Sequence, residues 1–131
     1  MNMLMRRCSP LVILCGFPYV AFALKPVPPE AEKAIAAVHL AASNNDFESL
    51  KAMMVQEFTW SFGGDNSSEQ AIASWRADPE AMVALAGVTS KQCGPIFKEY
   101  IQCPQQAGIS FRAGFTQTTS GWRMVYFVAG D

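Results

Sequence analysis

The sequence predicts an α+β domain: N-terminal helices packed on a curved, mainly antiparallel sheet that ends in a C-terminal β-hairpin. Three observations carry that expectation. Near the C-terminus, two runs rich in aromatic and β-branched residues, 109–117 and 122–129, flank Thr118-Thr-Ser-Gly121, the pattern of a hairpin. Earlier, segments with helical periodicity are each opened by a proline or a capping residue. Between them, 57–62 alternates strictly, with Phe58, Trp60 and Phe62 on one face, and ends at Gly63-Gly64, which reads as a half-buried strand.

The 131 residues allow one domain, and the first segment is expected to leave it. Arg6 and Arg7 precede a mostly apolar run, and Ala21-Phe22-Ala23 is a small-x-small site. Residues 1–23 therefore read as a secretory signal peptide cleaved after Ala23, with 24–131 as the single mature domain. The rival reading is a membrane anchor. The run 11–24 is shorter than the roughly 20 residues a bilayer demands, and Gly16 and Pro18 interrupt it. Acylation at Cys15 is disfavoured because Leu14 stands where a lipoprotein signal wants a small residue. A periplasmic or secreted location follows.

Loss of Arg6 and Arg7, with all eleven acidic residues retained, moves the formal charge from −1 to −3. A mildly acidic domain without a Lys/Arg cluster argues against nucleic acid and against an anionic membrane surface as partners. Of four cysteines, Cys8 and Cys15 leave with the signal, so Cys93 and Cys103, ten positions apart, are expected to form one disulfide in an oxidising compartment. His39 is the only histidine, so the ligand set of a metal site is not evident, and no metal or cofactor is expected.

In chain order, a first helix starts at Pro29, with Glu30 and Glu32 in its positive first turn, and runs to about 42. Ser43-Asn-Asn45 breaks it. Asn45 and Glu48 have capping-box spacing for a second helix over 46–54, striped by Phe47, Leu50 and Met54. After the strand, Asn66 with Glu69 or Ser67 with Gln70 caps a third helix that presents Ala71, Ile72 and Trp75. Asp78-Pro79 opens a fourth over 79–86, with Gly87 as its stop. Residues 88–95 read as irregular and 96–102 as one strand.

The terminal hairpin has two available registers. A two-residue turn sets Phe115 opposite Tyr126, whereas a four-residue loop sets it opposite Met124. Both give the same faces. Ile109, Phe111, Phe115, Trp122, Met124, Tyr126 and Val128 form the face to be covered by helices. Ser110, Arg112, Thr116, Arg123, Val125 and Phe127 form the other.

Asn45-Asp-Phe-Glu-Ser-Leu50 leading into Phe58-Thr-Trp60, then Glu69-Gln-Ala-Ile-Ala-Ser-Trp75, and finally Gly121-Trp-Arg-Met-Val-Tyr-Phe127 together resemble the SnoaL-like superfamily. This is the cone-shaped α+β fold of nuclear transport factor two and ketosteroid isomerase. The resemblance covers about half of the mature chain and implies a curved sheet wrapped around a helix, with a pocket between them. The sequence departs from the pattern over 79–95, helical and irregular where members continue into strands, and in a shortened middle hairpin. No acid–base motif matches, so no catalytic residue transfers.

Several residues are candidates for a pocket or a partner surface. His39, the only histidine, lies beside the apolar face of the first helix; acid–base work would need a partner such as Tyr100, Tyr126 or Asp65, and a structural role is the plainer reading. Asp65 follows Gly63-Gly64 and suits a pocket carboxylate or, with Asn66 and Glu69, a weak calcium site, although turn and capping chemistry explains it as well. Trp60 and Tyr126, among other aromatics, could line an apolar pocket, or simply form core. Arg112 and Arg123, mixed with Val125 and Phe127 on the nominal outer hairpin face, suit contact with a partner or pairing of two copies through the sheet. No Gly-x-Ser-x-Gly elbow or phosphate-cradling loop occurs. The sequence thus points to an exported, non-catalytic binding protein for a small apolar ligand or a periplasmic protein. An inhibitor or immunity protein against a cell-wall hydrolase or toxin is the first alternative. A small cone-fold enzyme using His39 or Asp65 is the second.

Overall fold

Helix α1 (Pro29–Ser43) begins as expected, with proline at its first position and Glu30 and Glu32 in the first turn. Alanines dominate its buried stripe of Ala31, Ala34, Ile35, Val38, Ala41 and Ala42, which lets its backbone lie close to its neighbours. The chain turns at Asn45, whose φ of 52° is the left-handed conformation that asparagine tolerates. That conformation takes Asn45 out of the capping role. Asp46 caps α2 (Phe47–Ala52) instead, accepting from Ser49 N at 3.2 Å and Ser49 Oγ at 2.6 Å. These hydrogen bonds hold its carboxyl below the usual range.

The computed structural model describes residues 27–64, 66–97 and 99–130. The expected signal peptide 1–23, its cleavage point after Ala23, and Asp65 lie outside the described residues.

Strand β1 (Met54–Thr59) lies three residues earlier than the alternation over 57–62 suggested. It runs parallel to the last strand, with Met54 opposite Met124 and Thr59 opposite Tyr126, and this pairing decides where it starts and stops. Phe58 is fully buried as expected, but the chain leaves the sheet before Trp60, and Phe62 is exposed. Helix α3 (Ser68–Arg76) takes the later of its two possible caps, Ser67 Oγ accepting from Gln70 N at 3.2 Å, and buries Ala71, Ile72 and Trp75. Helix α4 (Pro79–Thr89) is capped by Asp78 but does not stop at Gly87. Leu85, Val88 and Thr89 continue its buried stripe, and that burial outweighs the roughly 1 kcal/mol that a glycine costs inside a helix.

The single strand expected over 96–102 is two: β2 (Gly94–Ile96) and β3 (Tyr100–Cys103), an antiparallel pair. The chain reverses through Phe97, whose left-handed φ of 47° no glycine or asparagine announces. Strands β4 (Arg112–Thr118) and β5 (Gly121–Val128) complete a five-stranded sheet in the order β1-β5-β4-β3-β2. Its pairings are antiparallel except for β1 with β5, so the sheet is mainly antiparallel, as expected.

Near its turn the terminal hairpin has the register expected of the four-residue loop, with Phe115 opposite Met124, but Thr118 pairs with Gly121, so the turn itself is only Thr119 and Ser120. The register then shifts. Gly114 pairs with Tyr126, so Val125 is an extra residue on β5, a β-bulge. Because side chains alternate, one extra residue exchanges the faces beyond it. Phe127, expected on the outer face, is 3% exposed in the core, its ring centroid 5.7 Å from Trp75 and 5.3 Å from Phe111. Tyr126, expected on the covered face, stands on the opposite one. Ile109 and Phe111, also expected to be covered, precede β4 and are exposed.

Helices α1, α3 and α4 cover the face that carries Ala113, Phe115 and Met124. Val38, Leu50, Phe58, Met82, Leu85, Phe115 and Met124 fill the space between helices and sheet. The pocket expected between them is therefore closed by core, and among the described residues no element covers the sheet's other face. Cys93 and Cys103 form the expected disulfide beside the first β2–β3 pair, Gly94 with Gln102. A thiol assay on denatured, unreduced protein is expected to find neither cysteine free. By loop-closure entropy, Cys93→Ser should lower the unfolding free energy by about 3 kcal/mol in urea titration.

Candidate functional site

The uncovered face of the sheet forms a groove of about 820 Å³. Val55, Gln56, Glu57 and Thr59 of β1 form one wall, Ile96, Phe97 and Tyr100 of the β2–β3 hairpin form the other, and Phe62 stands at the rim. Gln102, Arg112, Val125, Tyr126 and Val128 make the floor. Three large apolar side chains stay in contact with water here: Phe97 is 86% exposed, Phe62 54% and Tyr100 40%.

The floor is set by the bulge and by one glycine. The shift at Val125 turns Tyr126 onto this face directly opposite Gly114. A Cβ on Gly114 would overlap the Tyr126 ring, so the missing side chain is what lets that ring lie across β4. Its hydroxyl thereby reaches β3 and donates to Gln102 Oε1. Gln102 is itself buried, and its amide nitrogen donates to Pro104 O and Gln105 O, both at 3.2 Å. Two carbonyl acceptors on one side fix the amide orientation and leave the carbonyl oxygen facing Tyr126.

Arg112 lies on the same face, donating through one Nη to Gly130 O at 2.8 Å and through the other to Ser110 O at 3.1 Å. Its guanidinium stands 5.8 Å from the Phe62 ring centroid, within cation–π range. Burial pushes the Tyr126 phenol up to about 12; the Arg112 charge acts against that shift and Tyr100 adds to it. The folded protein thus holds this proton more tightly than the unfolded chain does. Its contribution is fully present below pH 10, the ordinary value for a tyrosine, and is lost as pH rises toward about 12. Denaturation curves between pH 9 and 12.5 are expected to show stability falling faster in the wild type than in Tyr126→Phe.

Of the residues singled out from sequence, Tyr100, Arg112, Val125 and Tyr126 meet in the groove. His39 does not. Its Nδ1 donates to Ala86 O at 3.0 Å and approaches Thr89 Oγ1 at 3.1 Å, joining α1 to α4 on the far side of the sheet. Because a carbonyl only accepts, Nδ1 carries the proton. Trp60 lines a second hollow with Trp75 and Phe111, and its Nε1 is buried without a partner among the described residues. Phe127 belongs to the core. Arg123 lies along β5 outside the groove lining and donates to Trp122 O at 2.8 Å. Sequence reasoning missed Gln102 and Gly114. A glycine inside a strand pattern signals a close approach by another group, so Gly114 could have been found; nothing local marks Gln102.

No protein-family model matches the chain, and no curated protein does. Among solved structures, it is similar to an NTF2-like protein with a cystatin-like fold from Novosphingobium aromaticivorans, at 17% identity. That similarity covers 76% of this chain and 77% of the other, with a TM-score of 0.44.

Proposed function

We propose that this chain is an exported binding protein that takes a small, largely apolar molecule in the groove on the open face of its sheet. The observation that supports it most is the floor of that groove. A tyrosine held flat by Gly114 and Gln102 lies beside Arg112 under solvent-exposed aromatic walls, a few fixed polar groups in an apolar hollow. Export rests on the segment 1–23 and suits a chain with one disulfide. No described helix is long and apolar enough to cross a membrane. The test is native mass spectrometry of protein purified from the periplasm. A bound mass that disappears in Gly114→Leu supports the reading. A sheet-mediated dimer that binds no small molecule, and that Phe97→Ser splits, would contradict it.

A second reading is the protein inhibitor, for which the tip of the β2–β3 hairpin speaks. Phe97 holds a left-handed backbone and exposes an aromatic ring to water, a form suited to insertion into a partner's cleft. Under that reading, capture of one hydrolase or toxin in stoichiometric amount from periplasmic extract would be abolished by Phe97→Ser. The enzyme reading loses His39, which joins two helices, and rests on Asp65 alone.

A further inference from the structure

The direction of one proton limits what the groove can hold. Gln102 presents to Tyr126 an oxygen that can only accept, because its nitrogen is taken up by Pro104 O and Gln105 O. The Tyr126 hydroxyl has a single proton, and that proton goes to Gln102. Toward the groove, the phenol oxygen therefore offers only lone pairs. A tyrosine in an open pocket usually rotates its hydroxyl to suit either kind of ligand group; here the rotation is held from behind. A tyrosine phenol stays protonated through the physiological range, and burial only strengthens that, so the arrangement persists.

Arg112 supplies the opposite chemistry. Two of its N–H groups go to Gly130 O and Ser110 O, and the guanidinium has others, all donors. It stands one same-face position along β4 from Gly114, over which the Tyr126 ring lies. A group that both donates and accepts satisfies the two together. An ether or a ketone has no proton for Tyr126, and a carboxylate sets its lone pairs against those of the phenol.

We infer that the groove is specific for apolar molecules carrying a hydroxyl, whose proton goes to Tyr126 Oη while its oxygen faces Arg112. This rests on the reading of the groove as a small-molecule site. Gln102, whose amide groups are taken up within the protein, is then a positioning residue that acts on the ligand by setting the polarity of Tyr126.

The test uses 4-phenylphenol, 4-methoxybiphenyl and biphenyl-4-carboxylate as probes, titrated into the mature protein at pH 7 by calorimetry. The phenol is expected to bind about ten-fold more tightly than the methyl ether, the effect of one hydrogen bond with a buried partner left unmatched. In Tyr126→Phe that preference should fall to within about two-fold, because the acceptor is gone while the apolar walls remain. In Gln102→Met the phenol proton is released toward the groove, and the ether should gain on the phenol. Should Gln102→Met fail to fold, Tyr126→Phe decides. Equal binding of phenol and ether to the wild type, a preference that survives Tyr126→Phe, or tighter binding of the carboxylate would each overturn the hydroxyl specificity while leaving the groove reading standing. Failure of all three probes to bind would overturn the groove reading itself, and the specificity with it.

Discussion

Phe127→Ala is expected to lower the unfolding free energy by about 3–5 kcal/mol, whereas Val125→Ala should cost under about 1 kcal/mol. In a regular strand, residues 125 and 127 share a face and would respond alike. The bulge separates them. Phe127 is 3% exposed and packs edge-on against Trp75, which in turn packs against Phe58 at a centroid distance of 5.6 Å. Truncating it opens a cavity in the centre of an aromatic cluster that cannot collapse without moving α3. Val125 lies half-buried on the groove floor, where water can replace the lost methyl groups. Urea titration of the two variants reads the difference directly, and equal losses would show that β5 has no bulge.

Gly114→Ala should be nearly as damaging, for a different reason. Alanine is otherwise a better strand residue than glycine, so a neutral or stabilising effect would be the default. Here the new Cβ would occupy the space of the Tyr126 ring. The ring would swing off β4, break its hydrogen bond to Gln102 and leave a buried carbonyl oxygen unpaired, at a cost of about 2–3 kcal/mol. Binding of 4-phenylphenol should be lost as well. The double variant Gly114→Ala, Tyr126→Phe should lose less than the two single losses added, since the residues share one interaction.

The sequence revealed elements better than pairings. Helix starts were legible because capping is local: Pro29, Ser67 and Asp78 each announce themselves within four residues. Helix ends were less so, since Gly87 looks like a stop until the burial of Val88 and Thr89 is known. The β2–β3 hairpin escaped because its turn uses Phe97 in place of a residue that favours a positive φ. The groove was hidden for the same kind of reason. Alternation placed Tyr126 with Met124 and Phe127 with Val125, and only the pairing of β5 with β4 shows the extra residue that exchanges them. Arg112 lies on β4, which carries no extra residue, and was assigned to the right face. Gln102 and Tyr126, 24 positions apart, meet only through the sheet.

The measurement that tests the binding site most directly is a chemical-shift titration of ¹⁵N-labelled mature protein with 4-phenylphenol. The groove account predicts that the amides of Val55, Arg112, Val125 and Tyr126 shift together along one saturable curve, while those of His39 and Thr89 on the helical side stay fixed. Shifts confined to the helical layer, or spread evenly over the surface without saturation, would contradict it.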